Sequence, residues 1–113
     1  MFIYTSEFDK LWKSIFKDIK NLEEVEQLLL QNPKAGNVIK GTEGLRKLRW
    51  RSDSKGKRGG IRILYVDIEL NQVLIFVTLI LKNEKANISE TDKKIINSLI
   101  KTIKLNLENY GKK

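Results

Sequence analysis

A chain of 113 residues, 41% of them hydrophobic, can bury one core and is too short for two. It holds no cysteine and no histidine, which excludes disulfides, thiolate nucleophiles, zinc motifs, serine triads and imidazole acid–base pairs. The formal net charge is +8, and that balance favours anionic partners over cationic ones.

Phe2 to Thr5 reads as a short strand. Ser6, three residues before Asp9, has the spacing of a helix start, because the hydroxyl can accept from free amides and the acid suits the positive helix end. Phe8, Leu11, Trp12, Ile15, Phe16 and Ile19 follow at helical spacing, which assigns these aromatics to a core-facing stripe. Asn21 and Glu24 offer a second start, and Leu22, Val25, Leu28 and Leu29 continue the stripe. Pro33 ends it, since proline has no amide to donate and disfavours helix at Asn32. Glu23, Glu24 and Glu26 share this helix and read as a solvated face rather than as a catalytic carboxylate pair.

Gly36, Gly41 and Gly44 punctuate the passage from helices into strands. Leu45 to Arg51 alternates: Arg46, Leu48 and Trp50 point one way, and Lys47, Arg49 and Arg51 form a row of cations on the other. Ser52 to Gly60 is a polar hairpin tip. Its glycines 56, 59 and 60 are no dinucleotide fingerprint, because a strand follows them and not a helix. Ile61 to Ile68 and Val73 to Leu81 are apolar on both faces, the pattern of central strands covered by helices, with a tight turn over Glu69 to Gln72. Ser89 and Asp92 have capping spacing for a last helix that carries Ile95, Ile96, Leu99, Ile100, Ile103 and Leu107 along one side. Residues 106 to 113 are expected to fray. The fold class expected is α+β: one domain over residues 1–113, with an antiparallel sheet of about four to five strands, two N-terminal helices and a C-terminal helix, the helices gathered on one side of the sheet. The longest apolar run, Val73 to Leu81, falls well short of the roughly 20 residues a membrane span needs. The first 20 residues are amphipathic and charged, unlike a secretory signal. A soluble cytoplasmic protein with no membrane partner is expected.

The charge is concentrated. Arg46, Lys47, Arg49, Arg51, Lys55, Lys57, Arg58 and Arg62 stand against one acid, Asp53, so seven of the eight excess charges fall within 17 residues. The other 96 residues hold 14 basic and 13 acidic groups. A solubilising face mixes signs, as residues 7 to 27 do, whereas a block of one sign suits a polyanion. Such a block can also do chemistry on RNA. Attack by a 2′-hydroxyl on its own phosphate needs a proton removed, charge neutralised on the phosphorane and the leaving 5′-oxygen protonated. Arginine stays protonated and can clamp and stabilise. A lysine crowded by other cations can carry the proton, and Lys47 stands among Arg49, Lys57 and Arg62 once the strands align.

The segment Asn32-Pro33-Lys34-Ala35-Gly36-Asn37-Val38-Ile39-Lys40-Gly41-Thr42-Glu43-Gly44-Leu45-Arg46-Lys47-Leu48-Arg49 resembles a stretch of the HigB-type toxins in the RelE superfamily. Lys55-Gly56-Lys57-Arg58-Gly59-Gly60-Ile61-Arg62-Ile63-Leu64-Tyr65 continues the resemblance, as does Lys82-Asn83-Glu84 before the last helix. The match runs over roughly residues 32 to 95 in the right order and spacing. It implies a type II toxin: a metal-independent endoribonuclease without cofactor that cuts mRNA in the ribosomal A site and inhibits translation. The implied partners are the ribosome, mRNA and a cognate HigA-type helix-turn-helix antitoxin, with the toxin itself monomeric. By position, Lys47 and Arg49 match the family's paired basic residues on the second strand, Arg62 a phosphate-stabilising arginine, Lys57 and Arg58 the hairpin-tip basics, and Lys82 the lysine ending the last strand. The resemblance makes Lys57 or Lys82 the proton carrier and sets Arg49 and Arg62 on the scissile phosphate. Arg46, Arg51, Lys55 and Arg58 are assigned to RNA binding.

The chain departs from the family pattern at two places. Glu43 stands where glycine is usual, which implies a remodelled turn or an acid near the cleft. Ile80-Leu81 replaces Tyr-Gly, which removes a stacking or hydroxyl contact. Trp50 and Tyr65 could supply stacking instead, or could belong to the core. Two other functions compete: a non-catalytic RNA- or DNA-binding protein of this fold, and a ParE-like toxin that acts on gyrase through protein contacts. The lysine-rich hairpin argues against the second.

Overall fold

Two consecutive strands with no polar face need cover on both sides, and that requirement organises the molecule. The computed structural model describes residues 1–16, 19–50, 60–81 and 88–111. In chain order these form β1 (Phe2–Tyr4), α1 (Ser6–Ile15), α2 (Lys20–Gln31), β2 (Asn37–Val38), β3 (Leu45–Trp50), β4 (Ile61–Ile68), β5 (Val73–Leu81) and α3 (Glu90–Gly111). The strands make one five-stranded sheet in the order β1-β5-β4-β3-β2. It is mixed: β1 runs parallel to β5, and the other pairings are antiparallel. The α+β class and the strand count stand as expected, with β1 supplying the one parallel edge.

Helices cover both faces, so the one-sided arrangement expected from the sequence is corrected. On one face Phe8, Trp12 and Phe16 together with Val25 and Leu29 pack on Leu48, Ile61, Ile63, Tyr65, Leu74, Phe76 and Leu79. On the other, Ile100 with Ile96, Ile103 and Leu107 packs on Leu45, Leu64, Val66, Ile68, Val73, Ile75 and Val77. The reason lies in β4 and β5, whose apolar residues alternate between the two clusters and must be sheltered from water on each side.

Helix ends differ from expectation by small, explicable amounts. Thr5, one residue before Ser6, caps α1 by accepting from the Phe8 amide at 3.0 Å. α2 begins at Lys20 after Ile19, without a side-chain cap, so Asn21 is helical and not the start. Ser89 caps α3 as its spacing implies, accepting from the Asp92 amide at 3.0 Å. α3 then continues through Gly111, past the point at which fraying was expected. The turn between β4 and β5 is a short 3-10 segment, Glu69–Asn71, closed by Gln72 in the left-handed region at φ 53°. No helix among the described residues is long and apolar enough to cross a membrane.

Candidate functional site

Strand register decides which cations meet. Arg49 lies opposite Arg62, and Arg62 lies opposite Ile80. One step inward, Lys47 faces Leu64, which faces Thr78. Directly paired residues share a face with Cβ atoms about 4.5–5.5 Å apart. The α3 side of the sheet therefore ends in two rows that grade from cationic on β3 to uncharged on β5. Lys47 and Arg62 are half-buried and Arg49 is exposed.

A β-bulge makes this grouping possible. Between Leu64 and Tyr65 the register with β5 shifts, so Tyr65 pairs with Phe76 and Leu64 with Thr78, leaving Val77 as the extra residue. Val73, Ile75 and Val77 face α3; without the inserted residue Thr78 and Ile80 would face α1. The bulge turns them onto the side of Arg62. Its freed carbonyl is satisfied, because Thr5 Oγ1 donates to Val77 O at 2.6 Å.

Arg46 does not join this face. As the alternation demands, it lies on the opposite side, where its guanidinium donates to Gly36 O at 2.7 Å and Lys34 O at 3.3 Å. Tyr65, directly across from it, is buried and completes the clamp: its hydroxyl donates to Pro33 O at 2.7 Å and accepts from the Gly36 amide at 2.9 Å. Burial pushes the Tyr65 hydroxyl pKa up, against smaller lowering effects of the Gly36 bond and Arg46, while Asp67 adds to the rise. Gly36 is required at this point. A Cβ there would sit 2.9 Å from the Lys47 carbonyl carbon and oxygen, so only glycine lets β2 close on β3.

The loop before β3 is pinned to α3. Asn97 Nδ2 donates to Gly41 O at 3.2 Å, and its Oδ1 accepts from the Glu43 amide at 2.9 Å. The Glu43 carboxylate reaches Lys101 at 3.7 Å. Gly41 and Gly44 take the left-handed conformations, at φ 81° and 86°, and Glu43 does not. The usual glycine can therefore be replaced there without strain, and the acid is turned to α3.

Of the residues singled out from sequence, Lys47, Arg49 and Arg62 come together on one face. Arg51, Lys55, Lys57, Arg58 and Lys82 lie outside the described residues. Trp50 packs beside Trp12 and Phe16, with ring centroids 6.0 and 5.9 Å away, so both it and Tyr65 serve the core. Glu26, read as solvated, is half-buried and accepts a hydrogen bond from the Tyr4 hydroxyl; desolvation raises its pKa. Thr78, Ile80 and Asn97 help to build this region, and of these the sequence marked only Ile80, as the place of a lost tyrosine contact. The first two are placed by a bulge that leaves no residue signature, and Asn97 looks like any polar residue on a helix.

No family model matches the sequence. Solved structures do match. The intact E. coli RelBE toxin-antitoxin complex superposes with TM-score 0.56 at 19% identity, covering 75% of this chain and 98% of that one. A double arginine-to-alanine mutant of E. coli RelE in the free state gives TM-score 0.56 at 20% identity, covering 82% and 92%. The isolated E. coli RelE toxin gives 0.54 at 19%, covering 88% and 97%. The chain has the RelE toxin fold. Within that RelE-like frame the cationic rows stand on β3 and β4.

Proposed function

We propose that the protein is the toxin of a type II toxin–antitoxin system, a HigB-type, metal-independent endoribonuclease that cuts mRNA in the ribosomal A site and halts translation. The observation that supports this most is the juxtaposition of Lys47, Arg49 and Arg62 on one sheet face of a RelE-like fold. Paired guanidinium groups across a strand suit a phosphodiester, because each holds a planar fork of donors that matches phosphate oxygens. In this reading Arg49 and Arg62 hold the scissile phosphate and stabilise the phosphorane charge. The 2′-oxygen bonds to phosphorus, the 5′-oxygen bond breaks, and one proton leaves the 2′-hydroxyl while another reaches the 5′-oxygen. Lys57 or Lys82 carries the proton, with Lys47 as a further cation. Arg51, Lys55 and Arg58 extend the contact to the RNA backbone. Arg46 belongs to the Gly36 clamp and takes no part. A HigA-type helix-turn-helix antitoxin silences the toxin in the cytoplasm, and acidic segments of that partner are steered to the basic face.

The test is induction of the chain in growing cells with mapping of mRNA ends. Wild type is expected to arrest translation and to cut mRNA within codons, whereas Arg62→Ala or Lys82→Ala leaves mRNA whole. Growth arrest with intact mRNA would overturn the reading.

A further inference from the structure

Beside the cationic rows lies a groove that the phosphate chemistry does not use. It occupies about 420 Å³, within the roughly 300–1,000 Å³ of small-molecule sites. β1 pairs with β5 only over Leu74–Phe76, so beyond that point the groove opens between α1 and α3. Leu64, Thr78, Ile80, Ile88 and Ile96 form its walls, with Glu7 from the first turn of α1 and Asp92 from the first turn of α3 at its polar rim. Ile80 is the cross-strand neighbour of Arg62, and Leu64 that of Lys47. The groove and the cations are therefore two ends of the same two rows.

We infer that this groove receives one nucleobase of the bound RNA, and that it selects bases carrying an exocyclic amino group over uracil. The inference rests on the reading of RNA as the partner and adds to it the place where sequence is read. Arg62 and Ile80 stand on adjacent strands, one spacing of about 4.8 Å apart, so a nucleotide whose phosphate Arg62 holds lies beside the groove. Branched aliphatic walls can enclose the flat faces of an unstacked base, since extruded bases are held between aromatic or apolar side chains. Carboxylates accept hydrogen bonds and donate none, so Glu7 and Asp92 suit the amino N–H groups of guanine, adenine or cytosine, whereas uracil has no amino group and its one N3–H is flanked by two carbonyl oxygens. Continuity with the cationic face favours RNA over a protein segment as occupant.

The experiment uses the full chain and short 2′-O-methyl oligonucleotides, which lack the 2′ nucleophile and so stay intact. Affinities are measured for sequences of A, C, G and U, with the isoleucine δ1 methyl resonances followed during titration. The oligomer of U is expected to bind about tenfold more weakly than the best amino-bearing one, a modest value for base-edge reading. Ring-current shifts should appear at Ile80, Ile88 and Ile96. Glu7→Gln, an exposed change, should shrink the discrimination while leaving the salt dependence of binding as in wild type. Arg62→Ala should weaken every oligomer alike. Equal binding of all four sequences, or isoleucine methyls that stay in place while RNA binds, would overturn the groove assignment and leave the cationic face standing; the groove would then belong to a protein partner. No binding of any oligomer would overturn the groove assignment, while the reading as an A-site nuclease stands or falls on the mRNA ends mapped in cells.

Discussion

Arg46 and Arg62 are 16 positions apart in one basic segment and lie on opposite faces of one sheet. Removing them should differ in what happens to RNA binding. Arg46→Ala strips Gly36 O and Lys34 O of a charged donor, and hydrogen bonds to charged groups contribute about 1.5–3 kcal/mol. A loss of about 1–3 kcal/mol in urea unfolding is expected, with the salt slope of RNA binding unchanged. Arg62→Ala should lower that slope by about 0.7, the share of one phosphate contact on a single strand. The alternation that separates the two was legible, because period two follows from the pleat itself. The clamp was not: its acceptors are backbone carbonyls of residues 34 and 36, which no side-chain pattern announces. Glu26 makes a second test at this scale. Its raised pKa means the folded state holds the proton more tightly than the unfolded chain, so this stabilisation is present in acid and lost as pH rises from about the ordinary carboxylate value of 4.5 through the raised one. Glu26→Gln, which keeps an acceptor for the Tyr4 hydroxyl, should remove that fall from a pH series of thermal melts. A fall that persists in the variant would assign it to another group.

Among the elements, β5 has the largest influence on the site, and Thr5 is the residue that secures its bulge. One hydroxyl caps α1 through the Phe8 amide and donates to the bulged Val77 carbonyl. Thr5→Ala loses both bonds at once. Capping alone contributes about 0.5–2 kcal/mol, and an unsatisfied buried carbonyl adds about 1–3 kcal/mol. A destabilisation of about 2–3 kcal/mol is expected by thermal denaturation, with most of it recovered in Thr5→Ser, which keeps the oxygen. An equal loss in both variants would instead point to the threonine methyl. The boundaries of β4 and β5 were readable from sequence because both strands are apolar runs closed by turn residues. Their relative register was not, since the bulge falls between equally apolar neighbours and shifts every later side chain to the other face. The same ambiguity explains the helices: apolar residues on both faces of β4 and β5 demand cover, yet they do not say which helix covers which face.

For the whole molecule, the excess positive charge has two opposed effects. Like charges gathered on one chain repel in the folded state, so screening them should raise thermal stability as chloride increases. Screening should weaken RNA binding at the same time. Single-stranded contacts contribute about −0.7 each to the slope of log affinity against log salt. Lys47, Arg49 and Arg62 alone give a slope of about −2, or roughly a 20-fold loss of affinity between 50 and 200 mM salt. If Arg51, Lys55, Lys57, Arg58 and Lys82 also engage, the slope approaches about −5.6 and the loss exceeds about a thousandfold. The measured slope, taken with a non-cleavable oligonucleotide, therefore counts how much of the basic segment meets the RNA. A value between those limits, together with a melting temperature that climbs with salt, is the expected pair. A slope near zero would mean that the cross-strand cations do not bind phosphate, and would leave the charge of residues 46 to 62 as surface solubility alone.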